Sequence, residues 1–452
     1  MTNDLTKGTI WKSLLLFALP LLASSLVQQL YNTVDLIYVG QYLGKDASSA
    51  IGASSLLITC MVGFFGGMSV GSGVVIAQIF GSGKTERLRK AVHNALALSI
   101  VGGIILMIFG YFFAPYFLIW MNTPESIQPS AVSYLRIYFI SLISVLTYNI
   151  GAGVLRALGD SKTPLYAQLV GGVLNVIMDA VFIVLFDDGV NGVAWATLFS
   201  QTTAAVYVVY RLTKLDSSYA LKFRDIRFDK PILCDVLKIG VPAGAQSLVI
   251  TLSNVMAQYH INNLGVNELD VGPIAAFTNY FKVELVLYLP IVAMGQAIMT
   301  FVAQNWGAGN YRRVRKGTRI CLLMGMCFTA LCSILALSFG NLLFRAFTPE
   351  SDVIALGVRI ISVTFPFYFI YTVLQVLGDS LRGAGKTNPP MLIIMVNICV
   401  IRTILLFILV PRLNTVESVA VTYPITWTLT AICMTVYYLH FHRKNQTIIA
   451  AE

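Results

Sequence analysis

Two carboxylates stand inside long apolar runs, where an ionisable side chain costs about 2.5–3.5 kcal/mol at mid-bilayer and so demands a purpose. Asp35 follows Gln28 and Asn32 at helical spacing, and Asp179 follows Asn175 by one helical turn, so each carboxylate shares a helix face with side-chain amides. Carboxylates and amide oxygens in a low-dielectric setting can share a proton or hold a Na⁺ ion. Counting about 1.5 Å of helix per residue from Lys12 and Lys162 puts both carboxylates in the same half of the bilayer. Tyr134 and Thr197 should reach a similar depth, and Asn149 should lie nearer the cytoplasm. Asp35, Asn175, Asp179, Thr197, Tyr134 and Asn149 are therefore the expected cation-coupling set, with Asp35 and Asp179 the Na⁺ ligands if the ion is sodium. Lys282, Glu284 and Arg402 are the remaining ionisable residues recognised inside apolar runs. Either Lys282 pairs with Glu284 and Arg402 with a carbonyl, or the three line a substrate cavity with Gln28, Asn32, Gln246, Asn254 and Gln258.

The elements that must position these groups follow from composition. Hydrophobic residues make up 57% of the 452-residue chain and charged residues only 12%, with mean hydropathy +0.75; soluble domains carry about 25% charged residues. Only a bilayer solvates such a chain. Apolar runs near 11–39, 50–80, 91–119, 133–154, 165–186, 190–210, 236–263, 274–304, 318–344, 357–378, 389–411 and 417–440 predict an all-α polytopic membrane protein with twelve transmembrane helices. The run after Lys12 continues into the first of these, so no cleavable signal peptide is expected.

Basic residues crowd the even-numbered connections, for example Arg87, Arg89, Lys90, Lys222, Arg224, Arg312 and Arg313, while Glu125, Asp187, Glu268, Asp270 and Glu350 mark the odd ones. That asymmetry predicts that both termini are cytoplasmic. It also explains the net charge of +10 without nucleic acid, since no basic stripe with interleaved aromatics occurs.

The chain repeats itself. TPES at 123–126 recurs at 348–351, LRALGDSKTP at 155–164 as LRGAGKTNPP at 381–390, and AQIFGSGKTERLRK at 77–90 as AQNWGAGNYRRVRK at 303–316. Pro20, Asn32 and Asn175 match Pro242, Asn254 and Asn397, whereas Asp35 and Asp179 align with Ala257 and Ile401. Six spans per repeat is even, so the halves are a parallel repeat: two pseudo-symmetric six-helix bundles at 1–212 and 236–452, joined by a cytoplasmic linker at 213–235. These motifs, with VDLIYVG closing the first helix, resemble multidrug and toxic compound extrusion (MATE) transporters of the DinF-like bacterial branch, over roughly residues 10–440. The resemblance implies that Asp35 and the Asn175–Asp179 pair form the amino-half cation site. The chain departs from the subgroup with acids in helices seven and ten: helix ten offers Thr372 and Gln375 where an acid could stand.

Other strings mimic catalysis. Gly67-Met68-Ser69-Val70-Gly71 fits a nucleophile elbow but lies within an apolar span, which predicts helix packing. Gly81-Ser82-Gly83-Lys84-Thr85 resembles the end of a phosphate-binding loop, yet Gln78 replaces its first glycine. Neither the seven cysteines nor His93, His260, His440 and His442 show ligand spacing. The expectation is a monomeric antiporter, not an enzyme and without a cofactor, which exports amphipathic, mainly cationic drugs or toxins in exchange for H⁺ or Na⁺. The rival is a flippase for a lipid-linked saccharide.

Overall fold

The computed structural model describes residues 4–264 and 272–449; Glu268 and Asp270 lie outside the described residues. Among the described residues twelve helices are long and apolar enough to cross a membrane: α1 (Ile10–Leu43), α2 (Ala47–Gly81), α3 (Thr85–Trp120), α4 (Gln128–Ala157), α5 (Lys162–Leu185), α6 (Gly189–Thr213), α7 (Lys230–Asn262), α8 (Gly272–Gly307), α9 (Tyr311–Ser338), α10 (Ser351–Gly383), α11 (Asn388–Leu413) and α12 (Val416–Lys444). No strand occurs among the described residues. Several helices start before their apolar runs because charged turns such as Thr85–Lys90 continue the helix outside the hydrocarbon. The ninth helix ends earlier than the run at 318–344: it stops at Ser338, and Gly340–Arg345 forms a separate short helix. α10 tightens into a 3₁₀ turn at Phe365–Phe367, where Pro366 removes a backbone donor.

The chain divides into two compact units. The first comprises Met1–Gly8, Leu16–Gly244 and Ala303–Gly309; the second comprises Thr9–Leu15, Ala245–Val302 and Asn310–Glu452. In the first unit α4 is the central helix, packed by α2, α3 and α6. Lipid tails are as apolar as leucine, so close packing rather than water expulsion holds such helices together. Small residues on α3 permit it: a methyl group built on Gly103 or Gly110 would overlap Ile143 or Phe139 of α4. The false nucleophile elbow has the same purpose, because Gly67 and Gly71 of α2 lie against Gly244 and Gly240 in the early part of α7. The false phosphate loop is the turn between α2 and α3, with Gly83 at φ 70°; its repeat partner Gly309 has φ 72°.

The duplicated LRALGDSKTP motif starts a helix. Asp160 Oδ1 accepts from the backbone N of Lys162 (3.1 Å) and Thr163 (2.9 Å), and Oδ2 accepts from Thr163 Oγ1 (2.6 Å), which satisfies donors at the beginning of α5. The linker is tied to α3: His93 Nε2 accepts from the backbone N of Lys222 (3.0 Å) and Asn94 Oδ1 from that of Asp229 (3.0 Å). Arg87 pairs with Asp235 at 3.1 Å and Arg89 with Asp225 at 3.9 Å. In the second unit the core gathers Tyr280, Phe365, Tyr368 and Trp427 from α8, α10 and α12.

Candidate functional site

Asp35 and Asp179 come together in the first unit, brought from α1 and α5 to within hydrogen-bonding reach of each other. Both helices lose their regular winding immediately beyond the acids. Asp35 lies one turn before a π-helical turn at Val39–Leu43, and Asp179 is the last residue before another at Ala180–Leu185. Such wide turns are rare and concentrate at functional positions, since they leave backbone and side chains out of standard register.

Polar partners are scarce at the pair. Asp179 is fully buried, and apart from Asp35 neither of its carboxyl oxygens has a hydrogen-bond partner among the described residues. The same holds for Oδ1 of half-buried Asp35 and Oδ1 of Asn175, itself 1% exposed. No Lys or Arg lies within ion-pair distance of either acid among the described residues. Tyr134 is buried within electrostatic reach of both. Around it close Val39, Ile183, Val193 and Ala194, so the pair has an apolar border.

Tyr31 and Gln168 also belong to this neighbourhood, and sequence reasoning missed them. Tyr31 lies within electrostatic reach of Asp35, and its hydroxyl accepts from Gln168 Nε2 at 3.1 Å. Helical spacing could have found both, because Tyr31 is one turn before Asp35 and Gln168 two turns before Asn175. Thr197 and Asn149 spend their donors on their own helices: Thr197 Oγ1 donates to Val193 O (3.0 Å) and Asn149 Nδ2 to Val145 O (2.8 Å). Gln28 and Asn32 are exposed on α1.

In the second unit the anticipated pairings are replaced by others. Lys282 and Glu284 form no ion pair; residues two apart on a helix point away from each other. Lys282 lies over the Phe347 ring at 5.5 Å, and Glu284 accepts a short hydrogen bond from the Tyr368 hydroxyl. Arg402 bonds a hydroxyl instead of a carbonyl: its Nη2 donates to Thr426 Oγ1 at 3.2 Å, and its guanidinium sits 4.4 Å from the Tyr423 ring centroid. Gln246 is buried with Oε1 unpartnered, Asn254 is exposed, and Gln258 donates to Asn262 Oδ1 at 2.7 Å. Helix ten does hold an acid. Asp379, one residue past the expected run at 357–378, is buried and accepts from Arg382 Nη1 (2.5 Å) and Gln375 Nε2 (2.6 Å).

Among the described residues no three His, Cys, Asp or Glu side chains cluster as a metal site. What the pair in the first unit offers is narrower: two acids and one amide with unpartnered oxygens and no basic neighbour. Chemistry of that kind suits a single small cation, a proton or an alkali ion.

The MatE family profile matches residues 20–181 and 242–408. The chain is 27% identical to the probable multidrug resistance protein YoeA of Bacillus subtilis (strain 168), over 99% of this chain and 97% of that one. It is 29% identical to the probable multidrug resistance protein YpnP of the same organism, over 88% of each chain. A solved outward-facing multidrug resistance MATE transporter of the MOP superfamily shares the fold at TM-score 0.91 and 20% identity, across 99% of both chains. The profile takes in both halves of the repeat, and the chain belongs to the MatE family, that of multidrug and toxic compound extrusion.

Proposed function

We propose that the protein exports amphipathic, mainly cationic drugs or toxins from a bacterium, by alternating access and in exchange for H⁺ or Na⁺ taken up at Asp35 and Asp179. The observation that carries this reading is the buried carboxylate pair with unpartnered oxygens and no basic neighbour. A structural acid in a membrane finds a partner; these acids are left for a ligand that comes and goes. Exchange of one H⁺ or Na⁺ for one monovalent drug cation moves no net charge, so a tenfold ion gradient, about 1.4 kcal/mol, sustains a roughly tenfold drug gradient. The names of the bacillar relatives support drug as the cargo. In this reading the chain works as a monomer with both termini in the cytoplasm.

A flippase for lipid-linked saccharides would need free basic groups for a pyrophosphate. Arg402 is engaged with Thr426 and Tyr423, and Lys282 lies over Phe347, so neither favours it. The test is ethidium transport into inverted membrane vesicles with Na⁺ and pH gradients imposed one at a time. Uptake driven by either gradient is expected. Uptake indifferent to both defeats the antiport reading.

A further inference from the structure

Between α4 and α6 the first unit carries a groove that the carboxylate pair does not use. It holds about 480 Å³ and is bordered by Ser144, Thr202, Val206, Tyr210, Thr213 and Phe223, so it runs along α6 into the linker. From Thr202 to Thr213 α6 advances about 16 Å at 1.5 Å per residue, close to the roughly 15 Å hydrocarbon depth of a single leaflet. Val206 and Tyr210 are 63% and 56% exposed within a membrane-spanning helix, so the trough is open along that face.

Its aliphatic hydroxyls are closed on the protein. Ser144 Oγ and Thr202 Oγ1 bond each other at 2.8 Å, and Thr213 Oγ1 donates to Tyr210 O at 2.7 Å. The wall therefore presents hydrocarbon and offers little to a polar guest. At the linker end the chemistry changes. Phe223 is 66% exposed and stands between exposed Lys222 and Arg224, neither of which forms an ion pair among the described residues. Lys214 Nζ lies over the Tyr210 ring at 5.6 Å. The bond from the Lys222 backbone to His93 fixes this corner of the linker on α3.

An apolar trough of one leaflet's depth, ending at three cations, matches one kind of molecule. We propose that the groove binds an anionic phospholipid from the leaflet bordering the linker, with an acyl chain between α4 and α6 and its phosphate against Lys214, Lys222 and Arg224. Basic residues at a membrane surface each favour anionic lipid by about fivefold, so the three together give a preference on the order of a hundredfold at most.

The test is native mass spectrometry of the full-length protein, released from detergent containing equimolar palmitoyl-oleoyl phosphatidylglycerol and phosphatidylcholine. One retained phosphatidylglycerol, favoured roughly tenfold or more over phosphatidylcholine, is expected. Lys214→Gln with Lys222→Gln and Arg224→Gln should bring the ratio near one. The same loss of charge at exposed Lys12, Lys84 and Lys386 should leave it unchanged. Val206→Trp, which fills the trough, should remove the bound lipid; if that variant does not fold, the exposed glutamine triple decides alone. Equal retention of the two lipids by the unaltered protein overturns the proposal. So does an unchanged ratio in the glutamine triple, or an equal fall in the control triple, which would mean general charge attraction without a site.

Discussion

Replacing Asp179 by asparagine separates a coupling acid from a structural one. The side chain is fully buried and apart from Asp35 its two oxygens bond nothing among the described residues, so the near-isosteric change, whose amide can still bond that acid, strands no other protein group. It also removes an ionisable group whose insertion costs about 2.5–3.5 kcal/mol at mid-bilayer. Expression and thermal midpoint should therefore stay the same or rise. Transport should not survive. One H⁺ or Na⁺ exchanged for one monovalent ethidium moves no net charge, so a tenfold ion gradient supplies about 1.4 kcal/mol, and ethidium accumulation of up to roughly tenfold should collapse to about onefold. The assay is uptake into inverted vesicles at a clamped potential, with thermal unfolding measured on the same purified variant. Asp35→Asn should do the same, and the double variant should be no worse than either single, because groups sharing one ion do not act additively. Full accumulation by Asp179→Asn would refute the reasoning. Partial losses that simply sum in the double variant would refute the shared site.

Asp379→Asn should show the opposite pattern. It strips the charged partner from Arg382, whose side chain is 12% exposed, and breaking a largely buried pair costs about 3–5 kcal/mol, so the thermal midpoint should drop sharply; an unshifted midpoint contradicts that role. The loop charges predict that a cysteine at Lys316 reacts with an impermeant thiol reagent only from the cytoplasmic side and one at Asp187 only from outside, and the reverse labelling overturns the topology. If drug and coupling ion exclude each other, ethidium binding should release protons near neutral pH, read by calorimetry in buffers of differing ionisation enthalpy, and its affinity should fall as protons or Na⁺ are added, by the factor with which drug weakens the ion. Zero proton release with affinity indifferent to both ions removes the coupling.

The spans were legible because transfer into a bilayer is a local property of about twenty residues. Helix ends were less so, since polar turns such as Lys230–Asp235 or Tyr311–Lys316 continue the helix where no apolar signal remains. Depth counting put Asp35 and Asp179 at one level, and the folded chain joins them. What spacing could not show was how donors are spent. Thr197 and Asn149 have the right chemistry, but each bonds a carbonyl one turn back on its own helix, a choice of rotamer that leaves no trace in residue order. Lys282 and Glu284 misled by adjacency. Asp379 was hidden because it lies one residue past the end of the apolar run at 357–378. The π-helical turns beside the acids have no sequence signature at all.

The repeat shows why partners matter more than residue type. Both halves keep an arginine at the end of the fourth helix, Arg156 and Arg382, but acids were added differently around it. The carboxy half has Asp379 one turn before its arginine, where the register of the amino half has Gly153, and the acid is consumed by Arg382 and Gln375. Glu284, the other acid within that half's membrane core, is bonded by Tyr368. Arg156 lies near Tyr148 and forms no ion pair among the described residues. The amino half instead places Asp35 and Asp179 where the carboxy half has Ala257 and Ile401, away from any basic group within ion-pair distance. An acid held by an arginine cannot exchange its ion without breaking the fold's own bond. An acid facing only another acid can, and only the amino half is built that way.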